Sequence, residues 1–61
     1  MNTKEIRCKA LLTQAEFAKF LGVHTETVRA WEKGRFKPSL KAQRKIVAFC
    51  KENGVDYDRG R

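Results

Sequence analysis

The sequence predicts an all-α domain of four, at most five, short helices. Apolar residues recur at spacings of three and four, and almost no window alternates with period two. The breakers Gly22, Gly34, Pro38 and Gly54 divide the chain into four segments of helical length. A total of 61 residues leaves room for one domain.

The first helix is predicted over about Thr3 to Ala10, with Ile6 and Ala10 on one face. The second opens at Thr13, an N-cap residue whose amide Glu16 can reach back to, forming a capping box. Phe17, Ala18 and Leu21 share its inner face, and Gly22 stops it as a C-terminal glycine does. The third runs from about Thr25 to Lys33, with Val28 and Trp31 inward and Gly34 closing it. The fourth follows Pro38 from the N-cap Ser39, carries Leu40, Ile46, Val47 and Cys50 on one side, and ends before Gly54. Residues 1–55 therefore form the domain, and 56–61 a short polar tail that frays.

A domain this small buries only about 60% of its unfolded surface. It can hardly spare core for a pocket of desolvated polar groups, which favours a binding module over a catalyst. The chain offers no Ser/His/Asp set, no paired carboxylates and no glycine-rich phosphate loop, so no catalytic residue is assigned. Its single histidine and two distant cysteines do not make a metal site, and no cofactor is expected. Cys8 and Cys50 sit among apolar residues and read as two buried free thiols. A bridge between them is the alternative, and a reducing cytosol argues against it.

Charge narrows the partner. Fourteen Lys and Arg against seven Asp and Glu give a net charge of +7. Residues 29–45 hold Arg29, Lys33, Arg35, Lys37, Lys41, Arg44 and Lys45 with one acid, Glu32. The positive field is thus concentrated in one third of the chain and calls for an anionic partner. No apolar run is long enough to span a bilayer, and the N-terminus lacks the apolar stretch of a signal peptide. A cytoplasmic protein associated with the nucleoid is expected, without a membrane partner.

The second and third helices combine into a helix-turn-helix from Gln14 to Lys33. Where two steeply crossing helices approach, only a small side chain fits, hence Ala18. The turn needs a residue that accepts positive φ, hence Gly22. Phe17, Leu21, Val23, Val28 and Trp31 form the wedge of core beneath, while Thr25, Glu26, Arg29 and Lys33 face out. The stretches Leu12–Val23, Thr27–Gly34 and Lys37-Pro38-Ser39 together resemble the lambda-repressor/Cro-type helix-turn-helix regulators, the xenobiotic-response-element family. The resemblance extends over roughly Ile6 to Val55.

That resemblance implies a small lambda-repressor-like DNA-binding domain whose third helix lies in the major groove of double-stranded DNA. Thr25, Glu26, Arg29 and Ala30 are then base-facing. Arg29 can fork onto guanine, Glu26 can accept from a cytosine amine, and Ala30 can touch a thymine methyl. Gln14 and His24, with Lys33, Arg35, Lys37 and Lys41, become phosphate contacts. Plainer readings stand beside these. Glu26 suits a first helical turn through the dipole, and Arg29 can pair with Glu26 or Glu32 at helical spacing. Lys41, Arg44 and Lys45 can form a solvated face.

The sequence also departs from the family. Its first helix is about three residues short, Gln43 stands at an inward position where leucine is common, and a full fifth helix does not fit. Phe20 and Phe49 suggest either a self-association patch or a cover for Val55 and Tyr57. The implied function is a sequence-specific transcriptional regulator, a repressor of bacterial or mobile-element origin, acting as a possible homodimer. The alternative is an antitoxin-like or adaptor module that binds a protein partner on the same fold.

Overall fold

The computed structural model describes residues 2–57. Met1 and residues 58–61, most of the predicted tail, lie outside the described residues. Four helices follow one another: α1 (Thr3–Lys9), α2 (Gln14–Leu21), α3 (Thr25–Glu32) and α4 (Leu40–Asn53). No strand occurs among the described residues.

Local chemistry explains where each helix starts. Asn2 Oδ1 accepts from the Glu5 amide at 3.0 Å and caps α1. The capping box of α2 is complete. Thr13 Oγ1 accepts from Glu16 N at 3.1 Å, and Glu16 Oε1 accepts from Thr13 N at 2.9 Å. Ser39 Oγ accepts from Ala42 N at 3.2 Å and opens α4. His24 occupies the N-cap of α3 but makes no side-chain capping bond, so its imidazole is not committed to the helix.

The helix ends follow one plan. After each helix a residue enters the left-handed region, and the next amide donates back to the last turn. These bonds run from Leu12 N to Arg7 O, Val23 N to Ala18 O, Arg35 N to Ala30 O and Val55 N to Cys50 O. Three of the left-handed residues are glycine, and Gly22, at φ 71°, makes the tight α2–α3 turn possible. The fourth is Leu11, at φ 60° and 90% exposed, which adopts this conformation with neither glycine's freedom nor compensating burial.

The core gathers side chains from all four helices: Ile6 from α1, Phe17, Ala18 and Leu21 from α2, Val28 and Trp31 from α3, and Ala42, Ile46, Phe49 and Cys50 from α4. Burial pushes the Cys50 thiol pKa up. Phe49 meets Phe17 edge-on at 5.4 Å between ring centroids, and Phe20 meets it at a similar tilt at 5.7 Å. Phe49 is therefore core, whereas Phe20 stays exposed. Val55 and Tyr57 pack against the core from beyond α4, so the apolar part of the chain continues past residue 55.

Three sequence expectations are corrected here. Leu40 is exposed rather than inward, because α4 turns Ala42, Ile46, Phe49 and Cys50 toward the core. The same rotation brings Gln43 to the surface, where Nε2 donates to Pro38 O at 3.0 Å and steadies the entry to α4. Cys8 is exposed, not buried, since Ile6 alone supplies the fully buried apolar contact of α1.

Candidate nucleic-acid interface

Packing divides α3 into two sides. Val28 and Trp31 are buried against α2 and the core, while Glu26, Arg29 and the C-cap Lys33 are exposed and Thr25 is half-buried. Ala18, 2% exposed, lets the two helices meet. The turn at Gly22 then holds α3 as a ridge with its charged side outward.

Ala30 departs from its expected role. It is only 8% exposed, so its methyl offers almost no surface to a base edge. Its carbonyl is occupied too, accepting from Arg35 N at 2.9 Å in the turn that ends α3. Of the four residues expected to face bases, Thr25, Glu26 and Arg29 present side-chain surface to solvent and Ala30 does not.

Basic residues stand at both ends of α3, in the loop after it and on α4. His24, Lys33, Arg35, Lys37, Lys41, Arg44 and Lys45 are all exposed. Among the described residues none of them forms an ion pair; the three pairs present are Arg7–Glu32, Lys9–Glu5 and Arg29–Glu26. The charges of these lysines and arginines therefore remain available to an anion. An open groove between the start of α1 and the α3–α4 loop brings Lys33 and Lys37 together with Lys4 on its walls. Lys45 reaches back over the α2–α3 turn, its Nζ 3.7 Å from where a Cβ on Gly22 would stand.

Beneath the ridge lies an ion pair that sequence reasoning missed. Arg7 Nε and Nη2 donate to Glu32 Oε2 and Oε1 at 2.7 and 3.1 Å, a bidentate fork. Arg7 Nη1 also donates to Leu12 O at 2.8 Å, tying α3 to α1 and to the linker before α2. The two side chains are only 14% and 6% exposed. Desolvation pushes the Glu32 carboxyl pKa up, but the hydrogen bonds from Arg7 and Gln14, together with the positive charges of Arg7 and Lys4, hold it below the ordinary value. The hydrogen bond to Glu32 raises Arg7 correspondingly. One signal was present in the sequence: Glu32 is the lone acid among the seven bases of residues 29–45.

Gln14 also differs from expectation. Both ends of its amide are engaged inside the protein: Nε2 donates to Glu32 Oε1 at 3.0 Å, and Oε1 accepts from Arg29 Nε at 3.2 Å. Arg29 in turn donates from Nη1 to Glu26 Oε2 at 2.6 Å. Of the two pairings open to Arg29 in the sequence, the one with Glu26 forms directly, and Glu32 is reached only through Gln14.

The model of a helix-turn-helix family, the Cro/C1 type, matches residues 4–55. The chain belongs to this family. Curated relatives agree. Two uncharacterised HTH-type transcriptional regulators of Archaeoglobus fulgidus are 51% and 46% identical over 44 residues, 72% of this chain. A third, from Methanocaldococcus jannaschii, is 53% identical over 38 residues, 62% of this chain. The matched segments span 62%, 63% and 58% of those relatives' own lengths, so this chain corresponds to about three fifths of each. No solved structure matches the chain significantly. No helix of the described residues is long and apolar enough to cross a membrane, and no group of three or more His, Cys, Asp or Glu among them could hold a metal ion.

Proposed function

We propose that the protein is a sequence-specific transcriptional regulator that lays α3 in the major groove of double-stranded DNA. The observation that carries this reading is the two-sidedness of α3. Its apolar side is locked into the core, while Glu26, Arg29 and Lys33 project into solvent beside a fringe of unpaired bases. A helix so presented fits the groove, and its polar side chains have the donors and acceptors that base edges require. Thr25, Glu26 and Arg29 contact bases. His24, Lys33, Arg35, Lys37 and Lys41 contact phosphates, and Gln14 lies where the two sets meet. The HTH-type regulators it resembles support the assignment.

Repression is the activity a bound domain achieves by occupancy alone, and we favour it. The relatives come from archaea and lend no support to the bacterial or mobile-element origin that the sequence suggested. Pairing on DNA would set half-sites roughly 34–36 Å apart. Phe20, 65% exposed at the surface of α2, favours a protein contact of some kind. A second copy of the chain is the occupant we prefer, and an antitoxin-like or adaptor role is the alternative.

The electrostatic part is tested by affinity for duplex DNA across a salt series. The four Lys and Arg phosphate contacts predict that log K falls with log salt at a slope of about −4. A flat response would remove the basic fringe from the interface.

A further inference from the structure

We infer that Gln14 positions Arg29 for base reading, and that Gln14 is itself oriented by the part-buried Arg7–Glu32 pair. The inference rests on the proposed function, because it concerns how the reading helix is held. Gln14 starts α2, half-buried at the junction of α2 and α3. Its amide has one end that accepts and one that donates. Glu32, held ionised by Arg7, only accepts, and the Arg29 guanidinium only donates. An uncharged amide is the group that can join two such partners. It can do so in one sense only, with Nε2 on Glu32 at 3.0 Å and Oε1 on Arg29 Nε at 3.2 Å. A flipped amide would set oxygen against carboxylate and NH2 against guanidinium.

The chain of contacts therefore has a direction. It begins at Arg7, 14% exposed, passes through Glu32 and Gln14, and ends on the half-exposed Arg29. Arg29 Nε is anchored by Gln14 and one Nη1 hydrogen by Glu26 at 2.6 Å. Of the five N–H donors of a guanidinium, three remain to face a guanine. Without Gln14 the remaining anchor is Glu26, itself 79% exposed. An exposed pair of that kind holds a long side chain weakly. Gln14 is thus a positioning residue, and its effect on DNA passes through Arg29.

The test uses the full chain, the duplex recovered with it from random DNA, and a set of duplexes each altered at one base pair. Dissociation constants are measured for the unmodified protein, Gln14→Met, Arg29→Ala and the double variant. Methionine keeps the side-chain stem and removes both amide bonds, and Gln14→Ala serves if the methionine protein unfolds. Arg29→Ala is expected to lose discrimination roughly tenfold to hundredfold at one base position. Gln14→Met is expected to lose roughly three- to tenfold at that same position and nothing elsewhere. The double variant should be no worse than Arg29→Ala. A Gln14→Met protein that weakens all duplexes equally would make Gln14 a phosphate contact and overturn the inference. So would one that changes nothing. If Arg29→Ala itself weakens all duplexes equally, the base-reading role of Arg29 fails, and the proposed function fails there rather than at Gln14.

Discussion

Replacing Glu32 with alanine should bring the domain close to unfolding, although the side chain contributes no apolar core. The carboxylate accepts three hydrogen bonds, two from Arg7 and one from Gln14. Once it is gone, Arg7 keeps only the Leu12 carbonyl, at 2.8 Å, while 14% exposed. Removing one partner of a buried pair costs about 3–5 kcal/mol. Arg7 recovers a little hydration through its exposed fraction, so about 2–4 kcal/mol is expected here. A domain of this size has about 3–9 kcal/mol in all. Urea unfolding followed by helical circular dichroism reads the loss directly. With a slope of about 1 kcal/mol per molar, the midpoint should fall by about 2–4 M. Arg7→Met combined with Glu32→Leu should recover most of the loss, because apolar residues replace the pair without leaving a charge unpaired. A loss below about 0.5 kcal/mol for Glu32→Ala would refute the reasoning and reduce the pair to a surface bridge.

The same pair sets an acid limit. The folded Glu32 pKa lies below its ordinary value. Its contribution is therefore complete above that value and is lost as pH falls through the lower folded one. A denaturation series from pH 6 downward should show this loss, and Glu32→Gln should flatten that part of the curve. Leu11 offers a second check, independent of charge. A non-glycine residue in the left-handed region costs about 1–2 kcal/mol, and Leu11 buries nothing in return. Leu11→Gly should be neutral or stabilising by up to about 1 kcal/mol after the chain entropy of glycine is subtracted. Leu11→Val should destabilise, since β-branching tolerates positive φ worst. Thermal midpoints of the two variants falling in the opposite order would contradict the strain argument.

What the sequence revealed was what neighbouring residues decide. The capping box of Thr13 and Glu16, the Ser39 cap and the glycine stops at Gly22 and Gly54 depend on contacts within a few positions. They placed α2, α3 and α4 within a residue of their observed bounds. The burial of Trp31 and Val28 also followed, because their spacing on α3 leaves one apolar side. The orientation of α4 did not follow. Leu40, Ala42, Ile46, Phe49 and Cys50 allow two overlapping stripes, and only packing against Phe17 selects the one that excludes Leu40. Ala30 misled for a related reason: a methyl at a helical position carries no mark of whether the following turn covers it. Arg7 and Glu32 lie 25 residues apart, and no periodicity links them. Gln14 looked free because its two partners come from α3 and not from its own helix. The candidate site was thus legible as a set of charged positions on α3 and beyond, but not as the connected network that holds them.

Selection of binding sites from random double-stranded DNA with the unmodified chain tests the central claim most directly. The account predicts a short enriched motif containing a guanine whose preference disappears when selection is repeated with Arg29→Ala. A palindromic motif would add that two copies bind together. A recovered pool with no sequence preference would contradict the assignment of α3 as the reading helix, and one unchanged by Arg29→Ala would contradict Arg29 as its base-reading residue.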